Sequence, residues 1–312
     1  MQERELGTNG PRVPVVGFGA WPIGGGLGEV DEQTSIKTVR KAIDNGMYLI
    51  DTAEGYQESE ERIGKALSDG YRQKAFLATK VSKEFHADGI RKAMENSLRA
   101  MKTDYVDLYQ VHRYAAEYPL QETMDTMRKL QEEGKARYIG VSNFRVEQLD
   151  AARQMCPIQS NQVNYNMFLR SIEQEMVPYC ETRGIGLMVH STLAKGLLTG
   201  KYAPGHEFAA DDERSGFSQY TGKERDQYLR AAADLKFVAK ARGVSLIQLA
   251  IAWALRLPGV ATTLVGAKSP KQLKEPTAAG ELNLSDSELR KLNEILDRHA
   301  LPRLSPFAEQ IV

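Results

Sequence analysis

Short runs of β-branched and aromatic residues recur along the chain, and most of the intervals between them carry apolar residues at helical spacing. The runs are Val13–Gly17, Tyr48–Thr52, Ala75–Thr79, Tyr105–Val111, Arg137–Val141, Gln159–Val163, Gly186–His190 and Thr262–Val265. Ile36, Val39 and Ile43 mark one apolar stripe; Ile90, Met94, Leu98 and Met101 mark a second; Leu246, Leu249, Ala250 and Trp253 mark a third. Such runs read as strands and such stripes as buried helix faces. The first seven runs begin roughly thirty residues apart, the length of one β-α unit, and only the last gap is long.

Eight strands each followed by a helix predict the α/β class with a parallel sheet. Closure as a (β/α)8 TIM barrel is preferred over a doubly wound sheet. A doubly wound sheet would carry Gly-x-Gly-x-x-Gly after its first strand. The glycine-rich stretch from Gly17 to Gly28 lacks that spacing and runs into a polar segment before any helix. Additional pieces are expected around the barrel. Arg4–Val13 reads as an N-terminal β-hairpin about Asn9-Gly10. Lys201–Thr221, rich in Gly, Asp and Ser, reads as a long functional loop after the seventh strand. Extra helices are expected from about Lys223 to Arg242 and after Ser285, which forms a capping box with Glu288; Ser245 caps the helix before the eighth strand. Irregular chain is expected after about Asp297. No linker or composition break divides residues 1–312, which read as a single domain.

Charge narrows the partners. Forty-one basic residues balance forty-one acidic ones, so the gross signature of a nucleic-acid binder is missing, although a local basic patch remains open. No apolar run approaches the ~18 residues of a membrane span, and the residues after Met1 do not read as a secretory signal. The two cysteines, Cys156 and Cys180, read as reduced thiols. These features predict a cytoplasmic protein with neither a membrane nor a nucleic acid as partner.

Chemistry in a barrel sits at the C-terminal ends of the strands. Asp51, Lys80 and His112 close the second, third and fourth runs, and Tyr56 follows in the loop after the second. Each alone has an ordinary reading: a helix cap, a solvated lysine, a structural histidine, a packing tyrosine. Together they suit proton transfer by a phenol. Tyrosine ordinarily titrates near pH ~10. A neighbouring Lys80 would stabilise the tyrosinate and lower that value, with Asp51 keeping Lys80 charged and His112 orienting a carbonyl oxygen. No thiol or metal cluster stands ready, and none of the five histidines forms a ligand-spaced pair. Carbonyl reduction would then need a hydride from a nicotinamide cofactor.

Asp51 to Tyr56, with Ser59-Glu60 and Ile63-Gly64 behind it, resembles the signature of the aldo-keto reductases. So do Gly17–Trp21, Thr79–Val81, Val111–Arg113, Gly140–Phe144, Gln162–Tyr165, Gly196–Lys201 and Val265–Ala267 with Gln272 and Glu275, all in family order. The resemblance implies a catalytic tetrad of Asp51, Tyr56, Lys80 and His112, with Tyr56 as general acid in NADPH-dependent reduction of a small carbonyl compound. It implies that Ser142, Asn143 and Gln162 hold the nicotinamide carboxamide, and that Gly19, Ala20 and Trp21 lie beside the cofactor. Ser191, Thr192, Leu193, Ala194, Gly196 and Leu197, with Lys201, would wrap the pyrophosphate. Gly266, Lys268, Gln272 and Glu275 would take the adenosine end, Lys268 facing a 2′-phosphate.

Three positions depart from the family pattern. His190 stands where an aromatic ring usually stacks on the nicotinamide, Thr192 where Pro is common, and Pro276 where Asn commonly follows the Glu. No arginine is supplied for the 2′-phosphate, so NADH is the alternative to NADPH. Trp21, Tyr56, Phe85, His112 and Tyr114 are expected around the substrate, and the C-terminal tail is expected either to close the pocket with Phe307 or to be mobile. The same resemblance extends to the β-subunits of voltage-gated potassium channels, which leaves a redox-linked regulatory module as an alternative. The site could also run in reverse as an alcohol or sugar dehydrogenase.

Overall fold

In a computed structural model, which describes residues 1–25, 28–209 and 212–301, the chain opens on the expected hairpin. Strands β1 (Glu3–Glu5) and β2 (Arg12–Pro14) pair antiparallel, with Glu3 opposite Pro14. Asn9 takes the left-handed conformation at φ 57°, a region that asparagine tolerates better than most residues. The first barrel strand, β3, is Val16–Gly19. The run Val13–Gly17, which reads as one strand in the sequence, is therefore two pieces. Pro14 ends the hairpin, and the barrel begins two residues later.

The other barrel strands are β4 (Leu49–Asp51), β5 (Phe76–Val81), β6 (Val106–Val111), β7 (Ala136–Ser142), β8 (Ser160–Asn164), β9 (Gly186–His190) and β10 (Val260–Val265). All are parallel and close in the order β10-β3-β4-β5-β6-β7-β8-β9. Outside them lie α1 (Glu32–Asp44), α2 (Ser59–Ala66), α3 (Ala87–Met101), α4 (Leu120–Glu132), α5 (Val146–Met155), α6 (Met176–Arg183), α7 (Gly222–Ala241), α8 (Leu246–Ala254), α9 (Lys274–Ala279) and α10 (Asp286–His299). The capping boxes expected at Ser245 and Ser285 open α8 and α10. Helix α10 runs two residues past the expected Asp297, and Phe307 lies outside the described residues. Among the described residues no single helix is long and apolar enough to cross a membrane.

Two layers of core hold the barrel. The larger lies between strands and helices and takes Leu77 and Val81 of β5, Val106, Tyr109 and Val111 of β6, and Val260 and Val265 of β10. The smaller fills the lower interior with Leu49, Phe76, Ala78, Leu108, Met188, Ala261 and Leu264, joined by Leu6 and Val13 of the hairpin. Alternate residues of a strand share a face. Two positions after Leu49, Ala78, Leu108 and Met188 come Asp51, Lys80, Gln110 and His190. The same inward rows thus turn from apolar at the floor to polar at the mouth. Arg4 fastens the hairpin across the floor by donating to the carbonyls of Leu255 (2.8 Å) and Val260 (2.6 Å).

The long loop after β9 is pinned by its own side chains. Tyr202 stacks on His206 at 4.4 Å, and Arg214 lies 4.1 Å from the centre of the Phe208 ring. Asp212 holds the Arg214 guanidinium through two oxygens at 2.8 and 2.6 Å. Arg214 in turn donates to the carbonyl of Lys195 at 2.9 Å, tying the loop to the barrel mouth.

Candidate active site

The strand ends open into one cavity of about 690 Å3. Its inner end is a buried hydrogen-bonded group. Lys80 Nζ, with no exposed surface, donates to Asp51 Oδ1 at 2.5 Å and to the Thr52 carbonyl at 2.9 Å. Asp51 Oδ2 accepts from Gln110 Nε2 at 3.1 Å and Gln162 Nε2 at 2.9 Å. A buried ion pair is tolerated when its remaining valences are met, and here both oxygens of the carboxylate are engaged. Gln110 has no counterpart in the sequence reading. The signal for it was available: it sits two residues before His112 on a strand whose neighbours are all buried.

Tyr56 stands over this group, its ring centre 5.0 Å from Lys80 Nζ. Its hydroxyl lies 3.5 Å from His112 Nε2, and Trp21 meets it edge-on at 4.9 Å. Gly24 makes room for it, since a Cβ there would come within 2.2 Å of the Tyr56 carbonyl. The expected lowering of the phenol's pKa is reversed. Burial raises it, outweighing the Lys80 charge that draws it down, while Asp51 adds to the rise. Lys80 itself is held above its ordinary value, because Asp51 and Tyr56 together outweigh its desolvation. His112 lies well below the usual histidine range through burial first, then Lys80, His190 and Arg113. His190 is pushed down to about 3 by burial and by the nearby lysines. Both imidazoles are therefore neutral at pH 7.

A polar chain links the two imidazoles. His112 Nδ1 lies 2.6 Å from Ser82 Oγ, and its carbonyl accepts from Asn143 Nδ2 at 3.3 Å. Asn143 Oδ1 is 3.4 Å from His190 Nε2, and His190 Nδ1 is 3.0 Å from Ser191 Oγ. Ser142 Oγ donates to the Gln162 carbonyl at 3.0 Å. Asn143, Ser191, Ala194 and Lys195 all have positive φ, between 45° and 58°. L-residues adopt that region at a cost of ~1–2 kcal/mol, and such strain concentrates at functional sites.

Gly19, Ala20, Trp21, Asp51, Tyr56, His112, Ser142, Asn143, Gln162 and His190 line the inner cavity. Ser191, Thr192, Leu193, Gly196, Lys201, Gly266, Lys268, Gln272 and Glu275 line the outer arm. Four expected residues are placed differently. Ala194 and Leu197 line a separate small void with Phe168 and Tyr228 and do not line the cavity. Phe85 is 1 % exposed, buried against Tyr118, and Tyr114 packs edge-on to Phe144; neither lines the cavity. Of the expected aromatic wall, Trp21 and Tyr56 line the cavity. The cavity also takes in Asn164 of the Gln162–Tyr165 motif, Lys195 of the run after β9, and Tyr202, Arg214 and Ile247, which carry no motif of their own. Its lining includes the cations Arg113, Lys195, Lys201, Arg214 and Lys268 against the carboxylates Asp51 and Glu275. A net-cationic cavity with a polar, strained inner end fits a dinucleotide phosphate better than a neutral ligand. Among the described residues no group of three His, Cys, Asp or Glu side chains could hold a metal ion.

The family model of the aldo/keto reductase family matches residues 15–297. The chain belongs to that family. It is 38 % identical over 311 residues to the aldo-keto reductase YhdN of Bacillus subtilis, covering 95 % of this chain and 94 % of that one. Its fold superposes on the glycerol dehydrogenase of Gluconobacter oxydans with a TM-score of 0.89 and 32 % identity, covering 97 % of each chain. An aldo/keto reductase of Klebsiella pneumoniae in complex with NADP and acetate matches with a TM-score of 0.78 and 30 % identity, covering 100 % of each chain. The aldo-keto reductase read from the strand-end motifs is thus an aldo-keto reductase by whole-chain similarity, built as a closed (β/α)8 barrel with an N-terminal hairpin.

Proposed function

We propose that the enzyme reduces a small aldehyde or ketone to the alcohol with NADPH, and that Tyr56 is the general acid. One observation carries this reading. The phenol of Tyr56, the ammonium of Lys80, the carboxylate of Asp51 and the imidazole of His112 meet at the closed end of a cavity whose open arm is cationic.

NADPH would supply the hydride that goes to the carbonyl carbon. Gln162 has both oxygens of its surroundings served by Nε2, which leaves Oε1 to accept from the carboxamide, with Ser142 and Asn143 alongside. Ser191, Thr192, Leu193 and Gly196, with Lys201, hold the pyrophosphate. Gly266, Gln272 and Glu275 take the adenosine end, where Gln272 Oε1 accepts from the Lys268 backbone at 2.8 Å and Lys268 neutralises the 2′-phosphate. Tyr56 gives its proton to the carbonyl oxygen. A phenol whose pKa is raised stays protonated at neutral pH, which is the form an acid needs. The tyrosinate left behind is stabilised by Lys80, which Asp51 keeps charged. His112 is neutral; with Nδ1 accepting from Ser82, Nε2 carries the proton and donates to the substrate oxygen.

The likeness to a glycerol dehydrogenase gives a second reading, in which the same residues oxidise an alcohol or sugar and Tyr56 acts as the base. The test is fluorescence titration with NADPH and NADH, then turnover of aldehydes, ketones and polyols, for the native enzyme and Tyr56→Phe. The expected result is tighter NADPH than NADH, nucleotide binding retained in the variant, and its turnover cut by roughly 10²–10⁴. Undiminished turnover would remove Tyr56 from the role. Tight binding without turnover of any compound would favour a regulatory module.

A further inference from the structure

One cation of the cavity stands apart from the rest. Lys195, Lys201 and Arg214 follow β9 and Lys268 follows β10, whereas Arg113 follows β6. In the closed ring β6 is diametrically opposite β10, so Arg113 faces the mouth from the side away from the dinucleotide arm. It is the next residue after His112, close enough for its charge to act on that imidazole.

The guanidinium is supported without being consumed. Its carbon lies 5.3 Å from the centre of the Phe85 ring, a cation–π contact with a buried aromatic. Its hydrogen bonds are long, 3.5 Å to the Tyr114 carbonyl and 3.3 Å to a Glu117 oxygen, and Glu117 is more than half exposed at 56 %. An exposed pair at that distance contributes little and yields readily to a better partner. Among the described residues no cavity carboxylate competes from this side. Asp51 is engaged by Lys80, Gln110 and Gln162, and Glu275 belongs to the segment after β10. The arrangement also accounts for Phe85, which serves as the platform beneath the guanidinium.

Building on the carbonyl-reducing reading above, we propose that Arg113 selects carbonyl substrates that carry an anionic group, a carboxylate or a phosphate, a short chain away from the reacting carbon. The guanidinium fork suits either anion, and the anion, seated beside His112, holds the carbonyl within reach of Tyr56.

The test uses matched pairs with the intact enzyme: 4-oxobutanoate against butanal, and glyceraldehyde 3-phosphate against glyceraldehyde. The native enzyme should prefer the charged member of at least one pair by about tenfold or more in kcat/KM, the size expected of a charge-assisted hydrogen bond. The pair that shows it identifies the anion. Arg113→Gln should bring that ratio close to one through KM, and Arg113→Lys should keep part of it. Glu117→Gln, an exposed change that leaves the fold alone, should raise the ratio by freeing the fork. A native ratio near one for both pairs overturns the proposal, as does a preference that survives Arg113→Gln. Failure to turn over any of the four aldehydes with NADPH would instead strike the reductase reading itself.

Discussion

The floor and the mouth of this barrel are made from the same strands and differ by two residues. At the floor the inward row reads Leu49, Ala78, Leu108 and Met188, packed with Leu6 and Val13 from the hairpin. One step up it reads Asp51, Lys80, Gln110 and His190; hydrogen bonds tie Lys80 and Gln110 to Asp51 and His190 to Asn143, and residues with positive φ border the row. The floor gains stability mainly from apolar burial, clamped by Arg4, whereas the mouth keeps charges and strain inside the protein and depends on complete pairing. Stability and chemistry are separated along one axis, so damage to either end has a distinct signature.

The largest contrast should come from the mouth. Lys80→Met leaves the Asp51 carboxylate buried without its cation, which should lower stability by roughly 3–5 kcal/mol and cut turnover by more than about a hundredfold. Urea unfolding and steady-state kinetics read both losses together. At the floor, Leu6→Ala should cost about 2–5 kcal/mol while kcat and KM stay as they are. A change in KM there would mean that the two ends are mechanically coupled and would break the comparison.

The smallest effect is graded with pH. His112 and His190 stay neutral when folded but take up protons near pH ~6.5 when unfolded. A depressed folded value means that the stability is fully present above the unfolded pKa and falls as the pH drops below it. Each imidazole contributes about 1.4 kcal/mol per pH unit on that limb. Urea midpoints between pH 7 and pH 5 should show the slope, and His190→Phe should reduce it. An unchanged slope in that variant would mean that His190 is charged in the folded protein.

The barrel and the strand-end tetrad were legible in the sequence because both follow from periodicity: strand runs recurring every β-α unit, and ionisable residues at the ends of three of them. Features set by contacts distant in sequence were less legible. Pro14 splits a run that looks continuous. Phe85 looks like a pocket wall until its burial beneath Arg113 is seen. Gln110 is an ordinary strand residue until Asp51, from another strand, comes to face it. Arg214 is anonymous in a polar loop until Lys195 accepts from it. The direction of the Tyr56 shift depended on how much water the fold removes from the phenol, a quantity that no spacing of residues encodes.

The seam of the ring joins β10 to β3, with Thr263 beside Val16 and Val265 beside Phe18. The hairpin that plugs the floor is likewise fastened by Arg4 to carbonyls from Leu255 to Val260. During synthesis β3 meets β4 early on one edge, but its other edge leaves the ribosome long before β10 exists. That edge stays unpaired until most of the chain has been made, which is the interval when chaperones and aggregation compete for it.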